Sequence, residues 1–200
     1  MERTLIIIPT YNESENLPSL CEQIHKALPA ADVLVVDDNS PDGTGQLADA
    51  LAQEHAFIKV IHRAGKLGLG TAYLEGFRYA LDHNYDFIFE MDADFSHDPS
   101  YLPSLLGAAI EGADVVIGSR RVPGGDTENW GLGRQLISAG GSLYARTILG
   151  LSVRDLTSGF KCFRRRVLQS LDLDSVKSNG YSFQIEMKYR ALEAGLTVVE

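Results

Sequence analysis

Two closely spaced carboxylates, Asp92 and Asp94, follow residues 87–91, a short apolar run typical of a buried strand. Side chains at positions i and i+2 of an extended chain point the same way, so these carboxylates are expected to converge. Mg²⁺ or Mn²⁺ would relieve their repulsion, since such ions bind one or two protein carboxylates together with substrate phosphates. The triplet Asp92-Ala93-Asp94 therefore predicts a metal site, with His97 as a third ligand or a supporting group. The alternative is a turn or a helix cap.

A second pair of acids, Asp37 and Asp38, ends the apolar run at residues 33–36. A carboxylate at the end of a strand can accept hydrogen bonds from the base or the ribose of a nucleotide. Asp37 lies nearer to the strand and is the better candidate for this ligand, whereas Asp38 suits a turn. The alternative for both acids is an N-cap or Asx turn before a helix that begins at Thr44.

Positive charge is concentrated in residues 118–166, although the whole chain has a formal net charge of -9. Nine Arg or Lys residues against three acids give this segment a charge of +6 and leave -15 for the rest. The overall acidity argues against nucleic-acid binding, whereas the basic segment is typical of a site for an anionic partner. A solvated surface is the alternative.

Within the basic segment, Arg120 and Arg134 are candidates for phosphate binding because a guanidinium can donate two parallel hydrogen bonds. Ser138 comes four residues after Arg134 and would share its helix face. The alternative for each arginine is an ordinary surface position. We interpret four further cations of the segment as a solvated face: Lys161, Arg164, Arg165 and Arg166.

A glycine-rich loop at residues 65–71 precedes another predicted helix. Its Gly-Lys pair comes first, which is the wrong order for a Walker phosphate loop. Tyr73 stands where a dinucleotide-binding fingerprint needs its third glycine. We interpret the glycines as room for the backbone to approach a substrate at a helix N-terminus, with a plain turn as the alternative.

The elements that must position these residues alternate regularly through the first 120 residues. Short β-branched or aromatic runs predict five strands at residues 5–8, 33–36, 58–61, 87–91 and 115–118. Apolar residues at helical spacing, with turn and Pro signals, predict helices at residues 14–28 and 44–55, through Leu81, and from Pro99. This alternation predicts an α/β fold with a mostly parallel sheet in three layers. Ligands are then expected beyond the carboxyl ends of the strands.

The pattern changes after residue 120. We predict a loop at residues 123–133, a helix at 134–149, a strand at 156–163, a helix at 183–194 and a last strand at 196–199. Without repeats or linkers, residues 1–200 are expected to form one domain. Residues 1–120 would be its nucleotide and metal half, and residues 121–200 its acceptor half. The chain stops at Glu200 in or just after a strand, which suggests a truncated C-terminus.

Composition places the chain among globular proteins. It has 200 residues, of which 44% are hydrophobic, enough for a sizeable core. No apolar run approaches the ~18 residues of a transmembrane helix, and the N-terminal run is too short for a signal peptide. Cys21 and Cys162 form no metal or disulfide framework, so we expect two reduced thiols in a cytoplasmic protein.

Five motifs that occur in order along the chain resemble glycosyltransferase family 2. They are Ile8-Pro9-Thr10-Tyr11-Asn12-Glu13, Val36-Asp37-Asp38-Asn39-Ser40-Pro41-Asp42-Gly43, Gly68-Leu69-Gly70-Thr71-Ala72, Met91-Asp92-Ala93-Asp94 and Gly118-Ser119-Arg120. Three further features resemble the dolichol-phosphate (polyprenol monophosphate) mannose synthase branch: Ser96-His97-Asp98-Pro99, Arg134 with Ser138, and Thr157-Ser158-Gly159-Phe160. The resemblance covers nearly the whole chain and is more specific for the superfamily than for the sugar.

The resemblance implies a GT-A type fold, a Rossmann-like sheet flanked by helices, with a nucleotide-sugar donor and Mg²⁺ or Mn²⁺. It assigns the base and ribose to Pro9, Tyr11, Glu13 and Asp37. It assigns the metal to Asp92 and Asp94, with Ala93 beside the donor, and the acceptor phosphate to Arg120, Arg134 and Ser138. The catalytic set it implies is Asp94, Arg120 and Arg134. Ser96 stands where some relatives have a metal-ligating Gln, which leaves a third protein ligand open.

The implied reaction is inverting transfer of mannose from GDP-mannose to a polyprenyl phosphate of the dolichyl type. A UDP-glucose-dependent transferase, another family 2 transferase and a non-catalytic nucleotide-sugar binding module are the alternatives. A nucleotidyltransferase would need a Gly/Arg/Lys-rich loop after the first strand, where this chain has Pro9-Thr10-Tyr11-Asn12-Glu13. The resemblance also implies a peripheral position at the cytoplasmic membrane face and, in some relatives, a membrane partner subunit. The predicted helix at 134–149 would rest on the membrane interface or face the core.

Overall fold

The computed structural model describes residues 2–122 and 153–200, which contain seven strands and six α-helices. The strands are β1 (Thr4–Thr10), β2 (Ala31–Asp37), β3 (Ile58–His62), β4 (Phe87–Glu90), β5 (Val115–Ile117), β6 (Lys161–Arg164) and β7 (Val198–Val199). The helices are α1 (Leu17–Ala27), α2 (Thr44–Glu54), α3 (Leu69–Asp82), α4 (Leu102–Ile110), α5 (Arg165–Ser170) and α6 (Tyr181–Glu193). Short 3-10 turns occupy Pro99–Tyr101 and Leu173–Ser175.

The strands form one sheet in the order β3-β2-β1-β4-β6-β5-β7. Parallel pairs join β3 to β2, β2 to β1, β1 to β4 and β5 to β7. Strand β6 lies antiparallel between β4 and β5. The predicted mostly parallel α/β sheet is therefore confirmed, with one reversed strand that the sequence pattern did not indicate.

The reversed strand has a consequence for the site. Lys161, the first residue of β6, pairs with Glu90, the last residue of β4. The residues just before β6 therefore lie at the edge where β4 ends. At this edge the chain enters strand β6, whereas it leaves strands β1, β2, β4 and β5.

Helices cover both faces of the sheet, which explains why its central strands are continuously apolar. Residues Leu5 to Ile8 of β1 are 0% exposed, and successive side chains point to opposite faces. Leu5 and Ile7 join a core formed with α3, α5 and α6, and Ile6 and Ile8 join another formed with α1, α2 and α4. The predicted three layers are confirmed.

Two predicted boundaries change in the structure. The helix expected from Pro99 opens as a 3-10 turn, whose first amides are capped by the Asp98 carboxylate at Ser100 N (2.8 Å), and α4 follows. The strand expected at 156–163 is wrong in its first five residues, because β6 begins only at Lys161. Helix α5 was not predicted. The loop expected at 123–133 and the helix expected at 134–149 lie outside the described residues.

Within residues 2–122 and 153–200, no helix is both long enough and apolar enough to cross a membrane. Cys21 and Cys162 are buried free thiols, as expected. The division into a nucleotide half and an acceptor half, and the truncated C-terminus, stay predictions.

Candidate active site

A pocket of about 250 Å³ opens at the edge where the parallel strands end. Its lining residues come from the end of β1, from the segments after β1, β2, β3 and β4 and from the start of α3. They are Pro9, Thr10, Tyr11, Glu13, Asp38, Lys66, Gly68, Leu69, Ala72, Asp92, Ala93 and Asp94. The expectation that functional residues follow the strands thus agrees with the position of the pocket. Thr10, Asp38, Lys66, Leu69 and Ala72 are additions that sequence reasoning did not select.

The Asp92 carboxylate is held in a defined orientation. Its Oδ1 accepts a hydrogen bond from the Tyr73 hydroxyl at 2.9 Å, and its backbone N–H donates to His97 Nδ1 at 3.0 Å. Burial and the Asp92 charge raise the pKa of Tyr73, so the phenol stays a donor. Asp92 therefore presents a carboxylate whose geometry is set by a buried side chain on α3. From the sequence, Tyr73 was notable only because it stands where a dinucleotide-binding fingerprint needs a glycine.

Asp94 lies on an exposed and strained turn. Its Oδ1 accepts a hydrogen bond from Ser96 N at 3.0 Å. Phe95 between them adopts a φ of 58°, a left-handed conformation that bulky side chains rarely take. Strained backbone is concentrated at functional sites, because surrounding contacts must maintain it. Asp94 and Asp92 both line the pocket.

His97 supports the site from behind. Its ring stacks on Phe160 with centroids 5.1 Å apart, and it is absent from the pocket lining. Burial lowers the pKa of His97 despite the opposing Asp92 and Asp94 charges, so the ring is neutral at pH 7. Because Nδ1 accepts the Asp92 amide, the proton is assigned to Nε2, which lies 3.8 Å from Asp92 Oδ2. Of its two predicted roles, His97 has the geometry of the supporting group.

The segment that follows β1 is pinned to the turn before α2. Asn12 N donates to Ser40 Oγ at 3.1 Å, and Glu13 N donates to Thr44 Oγ1 at 2.9 Å. Tyr11 lies within this pinned segment, and the Lys66 ammonium sits 4.0 Å above its ring. Tyr11, Glu13 and Lys66 therefore meet in one wall of the pocket.

Asp37, the last residue of β2, and Asp38, which follows it, differ in whether they line the pocket. Asp37 lies behind the pocket, where its Oδ1 accepts from the hydroxyls of Thr10 (3.0 Å) and Ser40 (2.6 Å). Asp38 lines the pocket and accepts from Arg63 Nη1 at 2.6 Å and from Leu67 N at 3.2 Å. Asp38, interpreted as a turn residue, is thus the acid that reaches the pocket. A donor-binding role for Asp37 stays a prediction.

The glycine-rich loop approaches the protein's own chain. A side chain at Gly68 would place its Cβ 1.9 Å from Asn179 Nδ2, and one at Gly70 would lie 2.7 Å from the Ser178 carbonyl oxygen. Gly70 N donates to Asn179 Oδ1 at 2.9 Å. Gly68 and Gly70 therefore make room for the loop before α6, but Gly68 also lines the pocket, so the interpretation of these glycines as room for a substrate stays a prediction.

Arg120, which follows β5, is gripped by a buried acid. Its Nε and Nη2 donate to the two carboxylate oxygens of Asp155 at 2.7 and 2.8 Å, and Nη2 also donates to Thr157 Oγ1 at 3.0 Å. Burial alone would raise the pKa of Asp155, but Arg120 outweighs it and the pKa falls to about 2. Arg120 is not part of the pocket lining, and its acceptor role stays a prediction. Arg134 and Ser138 lie outside the described residues.

The four cations interpreted as a solvated face do not share one environment. Lys161 is 0% exposed and its ammonium lies 2.8 Å from Glu90 Oε2, so the interpretation is wrong for this residue. Arg164 and Arg165 are half-buried and donate to the backbone carbonyls of Ala109 and Leu81. Only Arg166 among them is exposed.

The charge of the pocket suits a bound cation. Four carboxylates line it, from Glu13, Asp38, Asp92 and Asp94, against one lysine, Lys66. Arg63 neutralises Asp38, which leaves an acidic excess near Asp92 and Asp94. In the described part of the chain, no three His, Cys, Asp or Glu side chains cluster as a ready-made metal site. The arrangement therefore fits a hard cation that shares its ligands between protein carboxylates and a bound anion.

Comparison with known proteins places this geometry in a family. Residues 5–172 match the family Glycosyl transferase family 2. The chain is 52% identical over 198 residues to an undecaprenyl-phosphate mannosyltransferase of Micrococcus luteus, covering 99% of this chain and 81% of that protein. It is 50% identical over 200 residues to a polyprenol monophosphomannose synthase of Mycolicibacterium smegmatis, covering 100% of this chain and 76% of that protein.

Solved structures show the same fold. Glucosyl-3-phosphoglycerate synthase from Mycobacterium tuberculosis, in complex with phosphoglyceric acid, superposes with a TM-score of 0.74 at 22% identity, over 99% of this chain and 69% of that one. A mannosyltransferase from Pyrobaculum calidifontis, in complex with GDP-Man and Mn²⁺, superposes with a TM-score of 0.64 at 17% identity, over 98% of this chain and 54% of that one. The fold is of the GT-A type.

Proposed function

The chain belongs to glycosyl transferase family 2, and we propose that it moves mannose from GDP-mannose to a polyprenyl phosphate with inversion. One observation carries the proposal: Asp92 and Asp94 share a single acidic pocket with Pro9, Tyr11 and Glu13 at the carboxyl edge of the sheet. That pocket combines two carboxylates suited to a cation with the three residues proposed to contact the nucleotide. The names of the relatives at 52% and 50% identity support mannose as the sugar and a polyprenyl phosphate as the acceptor.

Asp92 and Asp94 would hold Mg²⁺ or Mn²⁺ together with the donor diphosphate. Carboxylate oxygens are the ligands these ions prefer, and the acidic excess of the pocket is otherwise unfavourable for a diphosphate. When bound, the ion neutralises the negative charge of the diphosphate leaving group. Tyr73 keeps the Asp92 carboxylate in place through its hydroxyl.

The remaining nucleotide contacts would come from the end of β1, the segment after it and the loop after β3. Pro9, Tyr11 and Glu13 would contact the base and ribose. Lys66 is a cation of the same wall and would place a positive charge near the nucleotide. Asp37 would act by holding Thr10 and Ser40 rather than by direct contact, given its position behind the pocket.

The chemistry needs little from a protein base. A phosphate monoester has a second pKa near ~6, so the acceptor is largely a dianion at pH 7 and is already nucleophilic. One of its oxygens attacks C1 of mannose, and the bond from C1 to the diphosphate oxygen breaks with its electron pair leaving on GDP. Attack from the opposite side inverts the anomeric centre. Arg120, Arg134 and Ser138 would position the acceptor for this in-line displacement.

A polyprenyl phosphate is a membrane lipid, so we propose that the protein works at a membrane surface. The phosphate would enter the site while the isoprenoid chain stays with the lipid. Flotation of the purified protein with vesicles containing polyprenyl phosphate tests this placement. Recovery of the protein only in the soluble fraction, at lipid concentrations that support transfer, would count against it.

The proposal is tested by donor binding and by transfer. Calorimetry compares GDP-mannose with UDP-glucose, each with and without Mn²⁺, and a radiolabelled assay follows transfer to a short-chain polyprenyl phosphate. We expect metal-dependent binding selective for GDP-mannose and a mannolipid product. Selective binding of UDP-glucose would replace mannose by glucose in the proposal, and binding without any transfer would favour a non-catalytic module.

A further inference from the structure

A lysine on α6 is buried beneath the site. Lys188 is 0% exposed, and its Nζ donates to the backbone carbonyls of Asp155 (3.1 Å), Leu156 (2.8 Å) and Ser158 (2.8 Å). An ammonium group has three N–H donors and no acceptor, so these three carbonyls occupy all of them. All three donors of the Lys188 side chain are thus used by one short stretch of backbone.

A charge at this depth is costly. Burial and the neighbouring Lys161 ammonium lower the pKa of Lys188, because both disfavour its charged form. An apolar side chain of similar volume would avoid that cost but leave three carbonyls without this donor. The cost of desolvating Lys188 is therefore offset by hydrogen bonds that fix the conformation of residues 155–158.

Residues 155–160 lack the backbone ladder that holds the other segments at this edge. Strand β6 begins only at Lys161, and it is preceded by one ladder-like hydrogen bond, from Gly118 N to the Phe160 carbonyl oxygen at 2.9 Å. Side chains replace the ladder: Glu200 accepts from the amide of Asp155 at 2.8 Å, and Lys188 donates to the carbonyls. The position of this segment is thus set by contacts from α6 and from the end of the described chain.

The same segment touches both sides of the proposed site. At one end, the Asp155 carboxylate grips Arg120 in two parallel hydrogen bonds. At the other, a Cβ on Gly159 would lie 3.4 Å from Asp92 Oδ2 and 3.3 Å from His97 Cε1, so the backbone packs directly behind the metal-binding carboxylate. A shift of this segment would therefore move Arg120 and loosen the support of Asp92.

Helix α6 reaches the site by a second contact one turn earlier. Gln184 is four residues before Lys188 and accepts a hydrogen bond from the Lys161 ammonium, which in turn pairs with Glu90. Glu90 is the last residue of β4 and comes two residues before Asp92. One face of α6 thus lies under both the loop at 155–160 and the end of β4.

We propose that Lys188 is a positioning residue for glycosyl transfer: through residues 155–158 it holds Arg120 and the backing of Asp92 in their relative places. It does not contact the pocket itself. The inference rests on the proposed function, because it assigns the segment a role in aligning acceptor with donor.

The test is Lys188→Met, which keeps an unbranched side chain only one heavy atom shorter and removes its donors. We expect kcat/KM for mannosyl transfer to fall by about 10²-fold, since misplacement by about 1 Å costs this much in an aligned displacement. At saturating Mn²⁺, GDP-mannose affinity should change by less than about 3-fold, because the segment that contains Tyr11 and Glu13 is held by Ser40 and Thr44 instead. Hydrogen exchange of residues 155–160 should accelerate without substrates present.

Met187→Ala is the matched control, because Met187 is the preceding residue, equally buried, and packs in the apolar core. It should lower stability while leaving transfer by the folded fraction and exchange of residues 155–160 close to wild type. Lys188→Gln retains two N–H donors and should lie between wild type and Lys188→Met. If Lys188→Met does not fold, the same comparison is made with Lys188→Gln.

Transfer and exchange in the Lys188 variants that match Met187→Ala, beside an active wild type, would overturn the inference alone. Loss of GDP-mannose binding in parallel with transfer would also overturn it, because the defect would then be general. Failure of the wild-type protein to transfer mannose would instead overturn the proposed function.

Discussion

The proposed donor side and the proposed acceptor side of the site are positioned by different kinds of interaction. The donor side comprises Pro9, which lies in β1, and Tyr11, Glu13, Asp92 and Asp94, which follow β1 or β4 within about four residues. The acceptor side comprises Arg120 and residues 155–160, which depend on an ion pair and on a lysine from α6. Many backbone hydrogen bonds therefore hold the strands of the donor side, whereas the acceptor side depends largely on two side chains, Asp155 and Lys188.

This difference predicts how each side responds to substitution. A single change on the donor side should remove one ligand and leave the frame intact. A single change in the acceptor side's supports should disturb both the local frame and the alignment of the acceptor. Three variants and one change of pH sharpen or break this contrast, beginning with the largest expected effect.

Asp94→Asn should have the largest effect on the reaction. It removes a charge from the proposed metal site without changing shape, and we expect kcat/KM for transfer to fall by about 10³-fold. The Mn²⁺-dependent part of GDP-mannose binding should disappear in calorimetry, while the urea unfolding midpoint stays within experimental error. Asp82→Asn, an exposed acid at the end of α3, is the control. Retained Mn²⁺ dependence in Asp94→Asn would remove this residue from the metal site.

Asp155→Asn should affect both stability and transfer. Breaking its pair with Arg120 should cost about 2 kcal/mol, less than a fully buried pair because the Arg120 side chain is partly exposed. Transfer should fall by about 10-fold or more through a higher KM for the acceptor, with GDP-mannose affinity retained.

The control for Asp155→Asn is Asp114→Asn, which breaks the pair of another buried aspartate with Arg166 away from the pocket. It should lose stability without changing the acceptor KM. An equal rise in acceptor KM for both variants would mean that the acceptor side is no more sensitive than the rest of the fold.

Acid should remove the stabilisation that the Asp155 pair gives to the acceptor side. The pKa of Asp155 is about 2 in the folded protein against 3.8 ordinarily, so its ionised form stabilises the fold fully above about pH 4. That contribution, about 2 kcal/mol, is lost as the pH falls from about 4 to about 2. Urea unfolding across this range should show a steeper loss for wild type than for Asp155→Asn. Parallel curves would show that the Asp155 pair does not contribute this linkage.

Tyr73→Phe should have the smallest effect. It removes only the hydroxyl that orients Asp92, and loss of such a supporting group typically weakens metal affinity by about 10-fold. The Mn²⁺ concentration for half-maximal transfer should rise accordingly. Tyr85→Phe is a matched control, since its buried hydroxyl binds Asp32 outside the site. Equal Mn²⁺ requirements in the two variants would show that Asp92 needs no such support.

Much of the fold was predictable because its signals are local. Each of the first five strands is a short apolar run between turn residues, and each was predicted within about three residues of its observed bounds. The pocket's place followed from the same pattern, since parallel strands must end at a common edge. Asp92 and Asp94 could be selected because they directly follow a recognisable strand, and both line the pocket.

The acceptor side was less predictable because its determinants are distant in sequence. The segment at 156–160 looks strand-like, but the carbonyls of Leu156 and Ser158 accept hydrogen bonds from Lys188, some 30 residues later, and only the Phe160 carbonyl bonds to the chain after β5. Lys161 appeared to belong to a solvated cluster, and only the register of β6 against β4 places it beside Glu90. No local pattern marks a lysine as buried when its partners come from other elements.

The sequence by itself determined the α/β pattern, the family and the two carboxylates at the end of β4, because each depends on residues within a few positions of one another. Tertiary structure alone decided that Asp38 rather than Asp37 reaches the pocket, that the glycines make room for the loop before α6, and that Lys188 secures residues 155–158. These outcomes depend on which segments the reversed strand β6 and helix α6 bring together. Burial then decides which polar groups must satisfy one another.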